Sequence, residues 1–343
     1  ADISILQAIE DRGGVYKQDG DPRDPLLIFR EHGMNTMRLR IFHSPTGEPP
    51  LVNDLEYTKQ LGRRIKDAGL SLLLDFHYSD SWADPGKQTL PKAWEALDFD
   101  ALTQAVYEYT RDAIAAMAAA GALPDMVQVG NEIGPGMLWP HGRVGGKEYD
   151  TPEQWHRLGV LLKAGIRGVQ EGAGTGPSPR IMIHIECGGD AVRTVRYFEH
   201  LEAESVPCDM IGLSYYPWWH SKGQGYAPLR ENLATAIARF GKDVVVVETA
   251  YPWYPNCDAP DKIMHRNELM PLVPGIPASK DGQETFLRGL IETVRLAPQG
   301  RGKGVIYWAP EYIPAPRLDP GRNHLSLFDA EGTVLPGMNA FKE

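Results

Sequence analysis

Cysteine and long apolar runs are scarce in these 343 residues. The three cysteines, Cys187, Cys208 and Cys257, are too few for a disulfide framework, and their spacing matches no zinc motif. At most one disulfide could form, and inert thiols are the favoured interpretation. No apolar run approaches the roughly 20 residues that a membrane-spanning helix needs. The sequence therefore excludes a disulfide-rich scaffold, a cysteine-based metal site and a membrane-spanning protein.

Positive charge is also limited. The chain has 35 Lys and Arg against 45 Asp and Glu, which gives a formal net charge of −10. Phosphate backbones are bound by basic surfaces, so nucleic acid is excluded as a partner. The sequence opens at Ala1 without methionine, and it shows no signal-peptide core. A processed secreted or periplasmic monomer is the expectation, although a trimmed expression fragment would look the same.

Short apolar runs recur along the whole chain and are typical of buried parallel strands. Eight such strands are predicted: Ile3–Leu6, Thr36–Phe42, Leu70–Phe76, Met126–Val129, Ile181–Ile185, Met210–Ser214, Val244–Val247 and Gly304–Trp308. Helical signals separate most of them, such as the capping box from Thr151 to Gln154 with proline at the first helical position.

This alternation of strands and helices predicts an α/β fold, namely a single (β/α)8 TIM barrel. A doubly wound sheet is the alternative, but the glycine-rich phosphate turn that it needs after its first strand is missing. No stretch has the composition of a linker. Residues 1–343 are therefore predicted to form one catalytic domain.

Two glutamates directly follow predicted buried strands. Glu132 ends the motif Val-Gly-Asn-Glu, and Glu248 follows four consecutive valines. Carboxylates at the carboxyl ends of barrel strands lie where such folds place their chemistry. Glycoside hydrolysis needs two of them, about 5–5.5 Å apart for retention of configuration or about 6.5–9.5 Å apart for inversion. The alternative is that one of the two is only a structural salt-bridge residue.

Two arginines, Arg38 and Arg40, lie two positions apart on the predicted second strand. Their side chains therefore project to the same face of the sheet. An arginine beside Glu248 would keep that carboxylate ionised, as a nucleophile requires. A buried ion pair that only stabilises the fold is an equally good interpretation of either residue.

Aromatic residues are concentrated after the predicted strands. Trp82 follows the third strand, Tyr215 and Tyr216 the sixth, and Trp253 the seventh, while Trp308 ends the eighth. The apolar face of a sugar ring matches an aromatic face. Any single tryptophan is more often part of the core, but four aromatic segments on one face indicate a carbohydrate-binding cleft.

The segment between residues 251 and 281 is long for a compact domain. It contains oxygen-bearing side chains of the kind that Ca²⁺ prefers, namely Asn256, Asp258, Asp261, Asn267 and Asp281. Their spacing fits no defined calcium loop, so a solvated loop is favoured. His184 and Glu186 alternate on the predicted fifth strand, but two residues do not make a metal site. No required cofactor and no metal site are predicted, and a structural calcium stays open.

Four motifs taken together resemble glycoside hydrolase family 53. They are His77-Tyr-Ser-Asp-Ser-Trp-Ala-Asp-Pro, Val129-Gly-Asn-Glu-Ile, Gly212-Leu-Ser-Tyr-Tyr-Pro-Trp-Trp and Val247-Glu-Thr-Ala-Tyr-Pro, in the family's order, and the similarity covers nearly the whole chain. Members of that family are endo-β-1,4-galactanases that act on the arabinogalactan side chains of pectin. The resemblance implies a clan A barrel in which Glu132 is the acid/base and Glu248 the nucleophile.

The same resemblance implies that Arg38 lies beside the nucleophile and that Asn131 contacts the sugar hydroxyl next to the cleaved bond. It also implies a substrate-lining set: His77, Trp82, Tyr215, Tyr216, Trp253 and Trp308. Two segments depart from the family pattern, Arg40-Ile-Phe-His-Ser-Pro and Tyr307-Trp-Ala-Pro-Glu. They put the number of subsites in doubt. Some bacterial members bind calcium in the long seventh loop, for which this chain has no clear ligand pattern.

The resulting prediction is a retaining endo-hydrolase of β-1,4-galactan with a polysaccharide as its partner. Two alternatives stay open. One is a clan A endo-hydrolase of another β-linked polysaccharide, such as mannan or glucan. The other is a barrel that binds carbohydrate without cleaving it.

Overall fold

The computed structural model describes residues 1–221, 223–255, 272–318 and 322–342. The chain divides into two compact units. The unit that carries Glu132 comprises residues 38–186 and 192–212, and the unit that carries Glu248 comprises residues 1–37, 187–191 and 213–343. They are called the Glu132 unit and the Glu248 unit below. That residues 1–343 act as a single domain stays a prediction.

Strands and helices alternate in the Glu132 unit. Leu73 pairs with Met126, and Met126 pairs with Arg180, both in parallel register. The four longer strands of this part of the chain are Thr36–Ile41, Ser71–Phe76, Met126–Val129 and Arg180–Ile185, and the two-residue strands Gly136–Met137 and Gly142–Arg143 form an antiparallel pair. The helices that follow them are Leu55–Asp67, Phe99–Ala119, Pro152–Gly172 and Ala191–Ala203.

Side-chain caps begin three of these helices. Asp54, Asp98 and Thr151 each accept a hydrogen bond from the backbone N–H three residues further on. Such caps satisfy amides that have no partner within the helix. The predicted start at Thr151 is confirmed. At the first of these helices the capping residue is Asp54, which accepts from the Tyr57 N–H.

The Glu248 unit has the same alternation. Its strands Asp243–Thr249 and Gly302–Tyr307 pair in parallel, with Val246 opposite Val305. The strand Met210–Ser214 ends in this unit. Among its described residues, the α-helices are Leu6–Glu10, Pro25–Glu31, Pro217–His220, Ala227–Phe240 and Lys280–Arg295. The valines from Val244 to Val247 are all buried, as expected of a strand covered on both faces.

The predicted strand Ile3–Leu6 is wrong, since a helix begins at Leu6. The sheet contact lies earlier, where Asp2 forms a single parallel bridge with Trp308 and its N–H donates to the Tyr307 carbonyl at 2.8 Å. The α-amino group of Ala1 donates to the Thr36 carbonyl at 2.8 Å. A short, wholly apolar run has no period that separates a strand from a buried helix, which explains the error.

The predicted fold class is confirmed: parallel strands alternate with helices, as in a (β/α)8 barrel. The other seven predicted strands lie within two residues of their predicted bounds. Among the described residues, no helix combines the length and apolar character needed to cross a membrane.

Candidate active site

The turn that carries Glu132 is held in an unusual backbone conformation. Glu132 is half-buried and has a φ of +47°, in the left-handed region that non-glycine residues rarely adopt. The N–H of Ile133 donates to the His184 carbonyl at 2.9 Å. The side-chain amide of Gln88 donates to the carbonyls of Asn131 at 2.9 Å and Glu132 at 3.4 Å. Strained residues persist only where their surroundings hold them, and they cluster at functional sites.

Arg38 and Asp75 form a buried ion pair in the Glu132 unit. The Nη2 atom of Arg38 donates to Asp75 Oδ2 at 2.8 Å and to Asn131 Oδ1 at 2.7 Å. Both members of the pair are almost completely buried. Burial alone would raise the pKa of Asp75, but the charge of Arg38 and the contact with His77 outweigh it, so the pKa lies below 3.8. The interpretation of Arg38 as a buried ion-pair partner is confirmed, and its place beside a nucleophile stays a prediction.

His77 is fixed at both ring nitrogens. Its Nδ1 accepts from the Ala83 N–H at 2.9 Å, so its proton is on Nε2, which lies 3.1 Å from Asp75 Oδ2. The ring is 4% exposed. His77 therefore connects the buried carboxylate to the loop that carries Trp82.

Trp82 is half-buried, and the guanidinium of Arg40 lies 4.1 Å from the centroid of its ring. The ring of Phe42 meets Trp82 edge to face at 5.8 Å. Both contacts orient the indole. Arg40 is therefore a packing partner of Trp82, a position that the sequence pattern did not distinguish from that of Arg38.

Glu248 is hydrogen-bonded within its own unit. The hydroxyl of Tyr216 donates to Glu248 Oε1 at 2.8 Å, and the carboxylate residue is 8% exposed. The N–H of Tyr215 donates to the Glu248 carbonyl at 2.8 Å, and the N–H of Tyr216 donates to His220 Nδ1 at 2.8 Å. The segment after the strand Met210–Ser214 therefore holds the glutamate at the end of the next strand.

The other predicted aromatics of the Glu248 unit differ in exposure. Tyr215 is fully buried, and its hydroxyl donates to the Gly225 carbonyl. Trp253 is half-buried, and its Nε1–H donates a hydrogen bond to the Asn323 carbonyl at 2.7 Å. Trp308 is 6% exposed and has the guanidinium of Arg322 at 5.0 Å from its ring.

Three residues that the sequence prediction left out belong to these surroundings. Asp75 and Gln128 are both 0% exposed and lie on strands beside the predicted residues. Each interrupts an otherwise apolar strand, which is a signal that sequence reasoning could have used. Trp219, which is 40% exposed, lies 5.2 Å from Tyr216 between ring centroids. Its motif was recognised, but no sequence signal separated it from the buried Trp218.

Most of the candidate calcium ligands lie outside the described residues, so calcium binding stays a prediction. Asn256, Asp258, Asp261 and Asn267 lie outside the described residues, as does Cys257, whereas Asp281 lies in the first turn of the helix Lys280–Arg295. Cys187 is buried, and Cys208 Sγ donates to the Met210 carbonyl at 3.2 Å. Disulfide formation therefore stays a prediction.

Comparison with known proteins places these features in a family. A profile of glycosyl hydrolase family 53 matches residues 1–341. An uncharacterized protein from the bgaB 5′ region of Niallia circulans is 44% identical over 99% of this chain and 92% of its own length. An arabinogalactan endo-β-1,4-galactanase of Cellvibrio japonicus is 34% identical over 100% of this chain and 89% of its own.

Solved structures agree with the sequence relatives. The GH53 catalytic domain of Ignisphaera aggregans superposes with a TM-score of 0.87 at 34% identity, covering 99% of this chain and 94% of that one. The catalytic core of xylanase A, at 13% identity and a TM-score of 0.58, covers 96% of each chain and shares the fold alone. The chain therefore belongs to glycosyl hydrolase family 53.

Proposed function

We propose that this glycoside hydrolase is an endo-β-1,4-galactanase that cleaves β-1,4-galactan, the galactan of pectin side chains. The observation that carries the proposal is the match to family 53 along residues 1–341, together with relatives near 34% identity that are named galactanases. The partner is the polysaccharide itself. Two carboxylates are sufficient for glycoside hydrolysis, so no cofactor is required.

In the proposed mechanism Glu248 attacks the anomeric carbon while Glu132 protonates the departing glycosidic oxygen. Glu132 then takes a proton from water, which displaces the sugar from Glu248, so the anomeric configuration is retained. The hydrogen bond from Tyr216 to Glu248 supports this assignment, because it holds the carboxylate in one orientation. The constrained backbone of Glu132 does the same for the acid.

We assign the sugar contacts in two groups. In the polar group Asn131 contacts the sugar hydroxyl next to the cleaved bond, and the buried Arg38, the proposed neighbour of the nucleophile, supports Asn131 through the hydrogen bond to its Oδ1. The stacking group consists of Trp82, Trp253 and Trp308, with Tyr216 beside the nucleophile. His77 and Tyr215 line the site from behind, because backbone or carboxylate partners already occupy their polar atoms.

The substrate is tested by incubating the protein with purified β-1,4-galactan, β-mannan and cellulose and measuring new reducing ends. Galactan should give short oligosaccharides, and the other two polymers should give no release above background. Preferred cleavage of mannan or cellulose would establish the alternative hydrolase. Binding of galactan without release of reducing ends would establish a non-catalytic barrel.

The catalytic pair is tested with Glu248→Gln and Glu132→Gln, which should each reduce kcat by at least about 10³-fold. Glu186→Gln is the matched control, because Glu186 also follows a strand but has no assigned step. It should keep most of the activity. Added azide separates the two roles when the substrate is an activated aryl β-galactoside. In Glu248→Ala azide should replace the nucleophile and give an α-galactosyl azide. In Glu132→Ala azide should attack the glycosyl-enzyme and give a β-galactosyl azide. Near-normal activity of Glu248→Gln would exclude it as the nucleophile.

We also propose a secreted or periplasmic monomer whose residues 1–343 act as one catalytic domain. A polymeric substrate that cannot cross a membrane supports the location, and a single family profile over residues 1–341 supports one domain. Light scattering coupled to gel filtration should give a mass near 38.0 kDa. A single calorimetric transition should accompany unfolding, and two separable transitions would contradict the one-domain proposal.

A further inference from the structure

A series of buried side chains connects Arg38 to the turn that carries Glu132. A guanidinium can only donate hydrogen bonds, so the Asn131 atom at 2.7 Å from Arg38 must be its oxygen. The other end of that amide agrees, because Asn131 Nδ2 donates to the Ala83 carbonyl at 2.9 Å. Arg38 therefore fixes which way the Asn131 amide faces.

The orientation of Asn131 in turn fixes Gln128, which is fully buried on the strand Met126–Val129. The Gln128 amide nitrogen lies 3.2 Å from Asn131 Oδ1 and 3.4 Å from the Gly130 carbonyl. Both of these atoms are acceptors. If the Gln128 amide were turned over, its oxygen would face Asn131 Oδ1 and the Gly130 carbonyl, and three acceptors would lie together with no donor. The NH2 group of Gln128 must therefore face these two oxygens.

Gln128 then determines the proton position on His184. Its NH2 group lies 2.8 Å from His184 Nδ1, and the Glu132 N–H also points at that atom from 3.4 Å. Asn131 Oδ1 lies 3.1 Å from Nδ1 and could accept a hydrogen bond from a protonated Nδ1. A proton on Nδ1 would, however, face the hydrogens of the Gln128 NH2 group, which is nearer at 2.8 Å. The Nδ1 lone pair is therefore the acceptor, and the ring proton is on Nε2.

The charges around His184 agree with a neutral ring. Burial lowers the pKa of His184 well below 6.5, and the charge of Arg38 lowers it further, against the opposite effect of Asp75. A ring nitrogen of His184 and a carboxylate oxygen of Glu132 lie within 4.8 Å of each other. A positive ring at that distance would favour loss of the Glu132 proton, and an acid catalyst needs that proton.

We propose that Gln128 and Asn131 lock His184 in its neutral, Nε2-protonated form, which makes His184 a positioning residue for the acid/base. This rests on the proposed role of Glu132. The neutral ring receives the Glu132 backbone N–H at one nitrogen and keeps a hydrogen-bond donor at the other. Arg38 thereby influences Glu132 through two amides, without contributing a charge to the proton transfer itself.

The proton position can be measured directly by long-range ¹⁵N–¹H correlation on the histidine-labelled protein, with His184 assigned by comparison with His184→Gln. At neutral pH the His184 signals should be those of the neutral Nε2–H tautomer. A ring protonated at Nδ1, alone or together with Nε2, would overturn the proposal. This measurement needs no substrate and is made on the unaltered protein, since His184→Gln serves only to assign the signals.

Gln128→Glu tests the relay, because it places an acceptor where the NH2 group lies with little change of shape. His184 should then take a proton at Nδ1, kcat on galactan should fall roughly 10-fold or more, and the basic limb of the pH profile should move to lower pH. An unchanged ring and an unchanged pH profile would refute the relay. Gln128→Met, which removes the donor without supplying an acceptor, should not protonate the ring.

A second pair of variants serves if Gln128→Glu does not fold. His184→Gln keeps an N–H donor near the place of Nε2, whereas His184→Leu keeps none. His184→Gln should retain at least about 10-fold more kcat than His184→Leu with similar KM; equal losses in both would overturn the positioning role. Failure of the proposed function is distinguishable, because Glu132→Gln would then remain active whatever tautomer His184 shows.

Discussion

Replacing Asp75 by asparagine removes the charge that faces Arg38 while preserving the shape of the side chain. The pair is almost completely buried, with an N···O distance of 2.8 Å. Removing one partner of a buried pair leaves the other charge uncompensated, which costs about 3–5 kcal/mol. For 343 residues, an unfolding entropy of about 2.1 cal/mol/K per residue gives about 0.7 kcal/mol/K. The melting temperature should therefore fall by about 4–7 °C.

Differential scanning calorimetry at neutral pH measures this shift. Asp67→Asn is the matched control, since Asp67 meets Arg63 at the same 2.8 Å but both side chains are more than half exposed. Solvent screens such a pair, so its loss should leave the melting temperature unchanged within error. The double variant Arg38→Met/Asp75→Leu should be more stable than Asp75→Asn, because it leaves no buried charge. A shift below about 1 °C in Asp75→Asn would refute the reasoning.

Three further outcomes are expected. The difference in free energy of unfolding between wild type and Asp75→Asn should be largest above pH 3.8 and should shrink as the pH falls further, because folding lowers the pKa of Asp75. Acid denaturation that shows a difference independent of pH would contradict this. Tyr216→Phe should reduce kcat on galactan about 10- to 160-fold with KM little changed, because a hydrogen bond to a charged group contributes about 1.5–3 kcal/mol; unchanged kcat would remove Tyr216 from the site. Gly136→Ala should destabilise the protein more than Gly146→Ala, since their φ values are +92° and +90° but only the first Cβ would meet a backbone oxygen, at 2.0 Å; equal urea midpoints would contradict the clash.

The fold was predictable because its signals are local. Parallel strands buried on both faces appear as short apolar runs, and capped helices separate them, so seven of the eight predicted strands agree with the structure. The failure at Ile3–Leu6 has a physical cause. Its sheet contact consists of one bridge at Asp2, and a single bridge has no periodic signature.

The candidate site was predictable only in part. Glu132 and Glu248 are conspicuous because a carboxylate after an apolar strand is energetically unusual. The partners of those groups come from other strands, as Tyr216 does for Glu248, and the sequence does not show which side chains will meet. Likewise, Arg38 and Arg40 look equivalent in the sequence, yet one pairs with a carboxylate and the other lies against an indole.

With Glu132 as the proposed acid/base, its left-handed backbone makes stability and activity favour different residues at position 132. A residue without a Cβ would adopt a φ of +47° without the strain, of about 1–3 kcal/mol, that a glutamate incurs. Selection for heat resistance alone would therefore favour glycine, or asparagine, at position 132. A library ranked only by melting temperature would enrich inactive proteins there. Engineering of this chain for thermal tolerance should accordingly hold residue 132 fixed and seek its gains elsewhere.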